Sequence, residues 1–249
     1  MSYNPYSLQQ KTILITGASS GIGRQTAIEC TRLGATVIIT ARNEQRLKET
    51  FEMLESEGHQ YLLCDMSNME AVREMVSQLP RIDGLVSNAG FTKLQTIPFL
   101  QEDDLNNLFQ VNALSPILLL KELLKARKLV KHSSVVFTSS LDGIGPTTVA
   151  NSAYAATKGA LSAFVRGAAL ELAGRNTRVN AVCPGMVNTN ILDGSGLSEE
   201  DLQEDLKNYP LHRYGEPRDI ALAITYFLSD ASSWITGTNL IIDGGLSLC

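Results

Sequence analysis

The apolar residues of this chain alternate between two kinds of segment. Short, largely β-branched runs occur at Thr12–Thr16 (TILIT), Thr36–Thr40 (TVIIT), Gln60–Cys64 (QYLLC), Gly84–Ser87 (GLVS), Ser134–Ser139 (SVVFTS), Arg178–Cys183 (RVNAVC) and Asn239–Asp243 (NLIID). Runs this short and this apolar predict buried strands. Between them lie longer stretches with helical spacing: Ile22–Leu33, Glu44–Glu55, Met69–Leu79, Asp103–Lys128, Ala153–Ala173 and Arg218–Leu228. Strands separated by helices predict an α/β fold with a parallel sheet covered on both faces. Right-handed crossovers make a doubly wound, seven-stranded arrangement the economical solution. No repeat, low-complexity tract or Pro/Gly/Ser linker divides the sequence, so residues 1–249 are expected to form a single domain. The largest irregular region runs from Thr189 to Tyr214. It holds LDGSG and then SEEDLQEDLKNY, where Ser198 would cap a helix with acidic residues in its first turn, and 190–214 is the expected lid.

Composition narrows the function. With 44% hydrophobic residues the chain can bury a sizeable core, and its formal charge of −5 offers no basic stripe for nucleic acid. The basic stretch Lys121–Lys131 is interrupted by leucines and reads as a solvated helix face. Cys30, Cys64, Cys183 and Cys249 form no C-x-x-C pair, and with three scattered histidines they predict no metal site. The opening MSYNPYSLQQ lacks a signal-peptide pattern, and PILLL is cut short by Lys121 and Glu122. A soluble cytoplasmic protein with no membrane partner is expected.

The first chemical signal is TGASSGIG, directly after the first strand and opening a helix. Gly17, Gly21 and Gly23 remove Cβ atoms where backbone must turn tightly and approach a ligand, with Ser19, Ser20 and Ile22 between them. The following helix aims unpaired N–H groups and its positive dipole end at a pyrophosphate, as in a Rossmann fold. At the tip of the second strand an acidic residue would bind the ribose hydroxyls of NAD; here Ala41 is followed by Arg42. A guanidinium suits a 2′-phosphate, so the expected cofactor is NADP(H), with NAD(H) as the alternative.

A second signal is NSAYAATKGALSAF. Tyr154 and Lys158 stand four apart and share a helix face. A nearby ammonium favours phenolate, so Lys158 is expected to lower the Tyr154 pKa from its usual value near 10. The phenol could then exchange a proton with a carbonyl oxygen as hydride reaches its carbon.

These motifs occur in a characteristic order: TGASSGIG; Cys64-Asp65-Met66; Ser87-Asn88-Ala89-Gly90; Val111-Asn112-Ala113; Thr138-Ser139-Ser140; Tyr154-Ala-Ala-Thr-Lys158; and Pro184-Gly185-Met186-Val187-Asn188-Thr189. In that order, from Leu8 to Leu248, the chain resembles the short-chain dehydrogenase/reductase family. One departure is Ser87 in place of a common asparagine, expected to change only a local turn hydrogen bond. The resemblance implies that Ser140 donates a hydrogen bond to the substrate oxygen, Lys158 also binds the nicotinamide ribose, and Asn112 holds a water leading from Lys158 to solvent. Strand alternation lets only one of Ser139 and Ser140 face the substrate, and Ser140 matches better. Asp65 and Met66 would contact adenine, Asn88, Ala89 and Gly90 would line the adenosine ribose, and Val187 and Thr189, after Pro184 and Gly185, would hold the carboxamide.

The closing YPLHRYGEPRDIA and ITGTNLIIDGG resemble 3-oxoacyl-[acyl-carrier-protein] reductases and the alcohol, sugar and steroid dehydrogenases near them. The implied activity is reversible reduction of a ketone or 3-oxoacyl carbonyl to a secondary alcohol. An NAD-dependent dehydrogenase and a non-catalytic nucleotide sensor remain as alternatives. Leu141, Met186 and Tyr214 would shape the pocket, and Lys131 and Arg175 would meet an acidic acyl carrier at the cleft rim. The helix Ala153–Ala173, with small residues at Ala160, Ala163, Ala168 and Ala169, implies burial against a second subunit in a homotetramer, a dimer of dimers, with Leu246–Cys249 taking part.

Overall fold

The computed structural model of the protein describes residues 4–189 and 204–248. Seven strands, β1 (Thr12–Thr16), β2 (Thr36–Ala41), β3 (Gln60–Leu63), β4 (Ile82–Ser87), β5 (Leu129–Thr138), β6 (Arg178–Pro184) and β7 (Asn239–Ile242), form one sheet. Their order is β3-β2-β1-β4-β5-β6-β7, and every pairing is parallel. This is the doubly wound Rossmann arrangement expected from the alternating pattern. The strand order reverses between β1 and β4, and at such a point the crevice beyond the strand ends binds ligands.

Side-chain alternation along each strand feeds two cores. Leu14, Ile38, Leu85, Val135 and Phe137 face one layer, and Ile13, Ile15, Val37, Ile39, Val86 and Val136 face the other. The helices that cover them are α1 (Gly21–Arg32), α2 (Glu44–Glu52), α3 (Met69–Gln78), α4 (Glu102–Phe109), α5 (Ser115–Lys125), α6 (Ser152–Leu172) and α7 (Pro217–Leu228). Asparagine side chains cap two of them: Asn43 accepts from the Arg46 N–H and Asn68 from the Glu70 N–H, each at 2.9 Å.

Two expectations change. The outer strands β3 and β7 are not enclosed: Leu63 is 50% exposed and Ile241 42%, because an edge strand has one neighbour and partial cover. The predicted continuous helix Asp103–Lys128 is interrupted by a π turn at Gln110–Leu114. Helix α6 buries Ala168 and Ala169 against the core of its own chain and leaves Ala160, Ala163, Gly167 and Leu170 open along one stripe. Residues 190–203, with Ser198 and the LDGSG stretch, lie outside the described residues, as does Cys249.

Candidate functional site

The predicted residues gather beyond the carboxyl ends of β1 to β6. At the β1 end, Gly17 has φ +67°, a conformation strained for other residues, and a Cβ there would approach the Ala89 Cα to 2.8 Å. A Cβ on Gly23 would lie 2.3 Å from the Gly17 carbonyl oxygen. Both glycines are therefore required by contact between loop and helix. Ser20 opens α1 without a side-chain cap, which leaves the first-turn N–H groups to a ligand. Arg24 donates to the Ser19 carbonyl at 2.6 Å and fixes the loop from behind. Asn88 donates to the Thr16 and Gly17 carbonyls, each at 3.3 Å, so its side chain is spent on the loop rather than on a ribose.

At the other end of the crevice, Tyr154 and Lys158 share one face of α6. The Lys158 Nζ sits 5.6 Å from the Tyr154 ring centroid and donates to the Thr138 carbonyl at 2.8 Å. The two serines separate as alternation requires. Ser139 turns inward, donating to the Lys158 carbonyl at 2.9 Å and pairing with Ser162 at 2.7 Å. Ser140 faces the cleft, where it caps the short turn Leu141–Gly143 and donates to Asp142 Oδ2 at 2.9 Å. A Cβ on Gly143 would lie 2.5 Å from the Lys158 carbonyl carbon, so this turn rests directly on the helix backbone.

Burial pushes the Tyr154 phenol up to about 12, against the pull of the Ser140 hydroxyl, and Asp142 adds to the rise. The sequence predicted a lowered value. The difference has a cause: desolvation of the phenol is the largest influence on it, and the same burial lowers the neighbouring Lys158 to about 8.

Asn112 sits in the π turn and is fully buried. Its Oδ1 accepts from the Phe91 N–H at 3.0 Å, and its amide donates to the Phe91 carbonyl at 2.8 Å and to Thr157 at 3.2 Å. Both amide hydrogens are therefore engaged, and the expected water cannot take one of them. Instead the side chain pins the segment after β4 to α6. Gly90 lies in that segment, where a Cβ would meet Asn112 Oδ1 at 3.1 Å and Lys158 Nζ at 3.4 Å. The glycine-loop end and the Tyr154 end are thus one continuous surface.

A family model described as enoyl-(acyl carrier protein) reductase matches residues 17–247. The chain belongs to the short-chain dehydrogenase/reductase family. Among its relatives, the 3-oxoacyl-[acyl-carrier-protein] reductase FabG of Thermotoga maritima is 36% identical, with 96% of this chain and 98% of the relative covered. The FabG of Rickettsia felis is 33% identical over the same shares of the two chains. A solved Agrobacterium tumefaciens structure with bound NADP, provisionally named a 2-deoxy-D-gluconate 3-dehydrogenase, superposes with a TM-score of 0.90 at 26% identity and covers 99% of this chain and 100% of its own. As a short-chain dehydrogenase/reductase the protein is an oxidoreductase that uses a nicotinamide cofactor.

The remaining predicted residues fall into place around this family site. Arg42 is exposed at the end of β2, with no ion pair or hydrogen bond among the described residues. One oxygen of Asp65 accepts from the Ser67 N–H at 2.9 Å and the Ser67 hydroxyl at 2.8 Å, a turn cap at the end of β3. The Met66 carbonyl is taken by Ser115. Ser87 makes no turn hydrogen bond: its hydroxyl is buried without a partner. Pro184 ends β6, Gly185 packs on Asp243, and Val187 bridges to Gly215. Thr189 lies against Gly21, 3.1 Å from where a Cβ would stand.

Two basic residues are not where the sequence suggested. Lys131 is near the start of β5, in the bulge between Leu129 and Ser134, and the six residues from Ser134 to Ser140 alone span about 20 Å at about 3.3 Å per residue. Arg175 belongs to the same far end, where it donates to the Leu129 carbonyl at 2.9 Å. Neither can rim this chain's cleft. Sequence reasoning also missed Asp142, Thr157, Ser162 and Gly143. Asp142, Gly143 and Thr157 are sequence neighbours of Ser140 or Lys158, but their types carry no signal alone; Ser162 meets Ser139 only through the fold.

Among the described residues no group of three His, Cys, Asp or Glu side chains is disposed to hold a metal, and no helix is long and apolar enough to cross a membrane.

Proposed function

We propose that the protein is an NADP(H)-dependent reductase that converts a ketone or 3-oxoacyl carbonyl to a secondary alcohol, reversibly. The observation that carries this reading is the convergence of Tyr154, Ser140 and Lys158 beside Gly90 at the open end of the glycine crevice. The crevice fits a dinucleotide, since its glycines let the loop turn tightly against the Ala89 segment and the start of α1, and Ser20 places no side-chain cap on the first-turn N–H groups of that helix. When bound, the reduced cofactor supplies a hydride, and its oxidised form supplies a positive charge.

In the reductive direction Tyr154 gives its hydroxyl proton to the substrate oxygen as that oxygen gains charge. Ser140 donates a second hydrogen bond to the same oxygen and holds the developing charge. Lys158 anchors the nicotinamide ribose and, with positive charge nearby, brings the phenol down from its high value in the free protein. Asn112 positions α6 and the Gly90 segment rather than touching substrate. Arg42 takes the 2′-phosphate; Asp65 and Met66 face adenine; Ala89 and Gly90 flank the ribose; Val187 and Thr189 hold the carboxamide. Residues 1–249 act as one cofactor-binding and catalytic unit, with 190–214 as the lid.

The names of the FabG relatives support a 3-oxoacyl thioester, free or on an acyl carrier, as substrate. The gluconate-type structural neighbour favours a second reading, a sugar or other alcohol dehydrogenase. The open stripe on α6, with Leu170 81% exposed, and the bare edge of β7 support a homotetramer. Mixing the protein with NADPH and a panel of ketones, thioesters and keto-sugars tests the function. Loss of NADPH absorbance with at least one carbonyl class is expected; no oxidation with any of them would end the reductase reading.

A further inference from the structure

Asp142 has no part in the roles above, yet it lies against the reacting end of the cleft. Its Oδ2 accepts from the Ser140 hydroxyl at 2.9 Å. On the other side, Oδ1 accepts from the Thr147 hydroxyl at 2.7 Å and the Asn151 amide at 2.9 Å. Asn151 is itself held by the Thr92 hydroxyl at 3.2 Å. The turn after β5 and the residue that opens α6 therefore hold this carboxylate directly, and the segment after β4 steadies it through Asn151. Any atom that hydrogen-bonds Ser140 lies within two hydrogen-bond lengths of it, about 5–6 Å.

The nearby cations have other partners. Lys158 faces the Tyr154 ring and donates to the Thr138 carbonyl at 2.8 Å. Lys93, on the segment after β4, is paired with Asp104 at 2.6 Å, and Arg213 with Asp219 at 2.6 Å. Asp142 adds to the rise at Tyr154, which burial chiefly causes.

We propose that Asp142 is a specificity-determining residue: its fixed carboxylate makes the cleft select carbonyl substrates without a negative charge beside the reacting carbon. A 3-oxo ester or thioester, or a hydroxylated ketone, meets only an acceptor there. A free 3-oxo acid brings a second carboxylate beside the first, where like charges repel. Asp142 also holds the hydrogen of Ser140, which a substrate oxygen must take over, and a nearby anion makes that oxygen's own stabilisation harder still. This inference rests on the reductase reading and narrows its substrate class.

The test measures kcat/KM with NADPH for ethyl acetoacetate and for acetoacetate, in the wild type, Asp142→Asn and Asp142→Glu. The readout is the ester-to-acid ratio, because loss of Ser140 orientation lowers both values together. The wild type is expected to prefer the ester by about tenfold or more, Asp142→Glu to keep most of that preference, and Asp142→Asn to lose it. Should Asp142→Asn not fold, judged by NADPH fluorescence, the wild type and Asp142→Glu still decide. Equal use of ester and acid by the wild type, or an unchanged ratio in a folded Asp142→Asn, overturns the inference alone. Absence of turnover with every carbonyl tried would instead remove the reductase reading beneath it.

Discussion

The two ends of the crevice are built by different means. At the glycine end, shape decides: Gly17 and Gly23 are needed because any side chain would strike backbone within 3 Å. At the Tyr154 end, charge and hydrogen bonding decide: a half-buried phenol pushed up to about 12 lies beside a buried ammonium pushed down to about 8. The first end is set by close backbone packing, and the second by two groups whose proton affinities the fold has moved. Side-chain changes should therefore act on affinity and folding at one end, and on rate and pH dependence at the other.

The sharpest division comes from Tyr154→Phe. Reductase turnover is expected to fall by roughly 10²–10⁴-fold while NADPH still binds. Steady-state rates beside a fluorescence titration would check it, and near-normal turnover would refute the role of the phenol. Gly23→Ala should do the opposite and weaken NADPH binding or folding before it alters chemistry. Its new methyl meets the Gly17 carbonyl at 2.3 Å, and relief by backbone shift costs about 1–3 kcal/mol or more. A Gly23→Ala protein with unchanged melting temperature and NADPH affinity would break the comparison at its shape-determined end.

Lys158→Met separates activity from stability. The folded pKa of Lys158 is lowered to about 8 from 10.5, so the fold disfavours its charge. Between those values the unfolded chain binds more protons than the folded one, and stability rises with pH across that window. Removing the ammonium should stabilise the cofactor-free protein at pH 7 by on the order of 1–2 kcal/mol, net of the bond to Thr138, while activity collapses. The gain should fade between about pH 8 and 10.5. Denaturant unfolding at pH 7 and pH 10 measures both, and a variant destabilised equally at the two would contradict the assignment. The smallest effect belongs to Arg42→Ala, expected to cut the NADPH-over-NADH preference in kcat/KM by about tenfold through loss of charge-assisted hydrogen bonds. An unchanged ratio would leave Arg42 as an ordinary surface residue.

The same contrast explains what could be read in the sequence. Backbone requirements leave a residue-type signature, so the glycine loop, the central strands and the i, i+4 pair of Tyr154 and Lys158 were legible. Edge position was not, because β3 and β7 carry apolar runs like those of inner strands, and only the sheet order exposes them. The π turn was also hidden, since its apolar residues continue the helical pattern of Asp103–Lys128. Nor could the sequence place Lys131 and Arg175, whose end of the sheet depends on strand direction. Asp142 was overlooked too: its partners Ser140, Thr147 and Asn151 lie along one irregular connection, whose looping back on itself no periodic pattern signals. The acidity of Tyr154 was misjudged because helical spacing gives proximity but says nothing of how deeply both groups are sunk.

The wide turn at Gln110–Leu114 acts mechanically as a phase shift in an otherwise straight rod. Each residue of an α-helix advances it by about 100°. The wide turn takes up one residue more than a regular turn, so deleting one there would let α4 and α5 run on as a single regular helix with their faces kept, but would carry Asn112 away from Phe91. Surface loops tolerate gains and losses of chain, whereas at this joint the length is counted to the single residue.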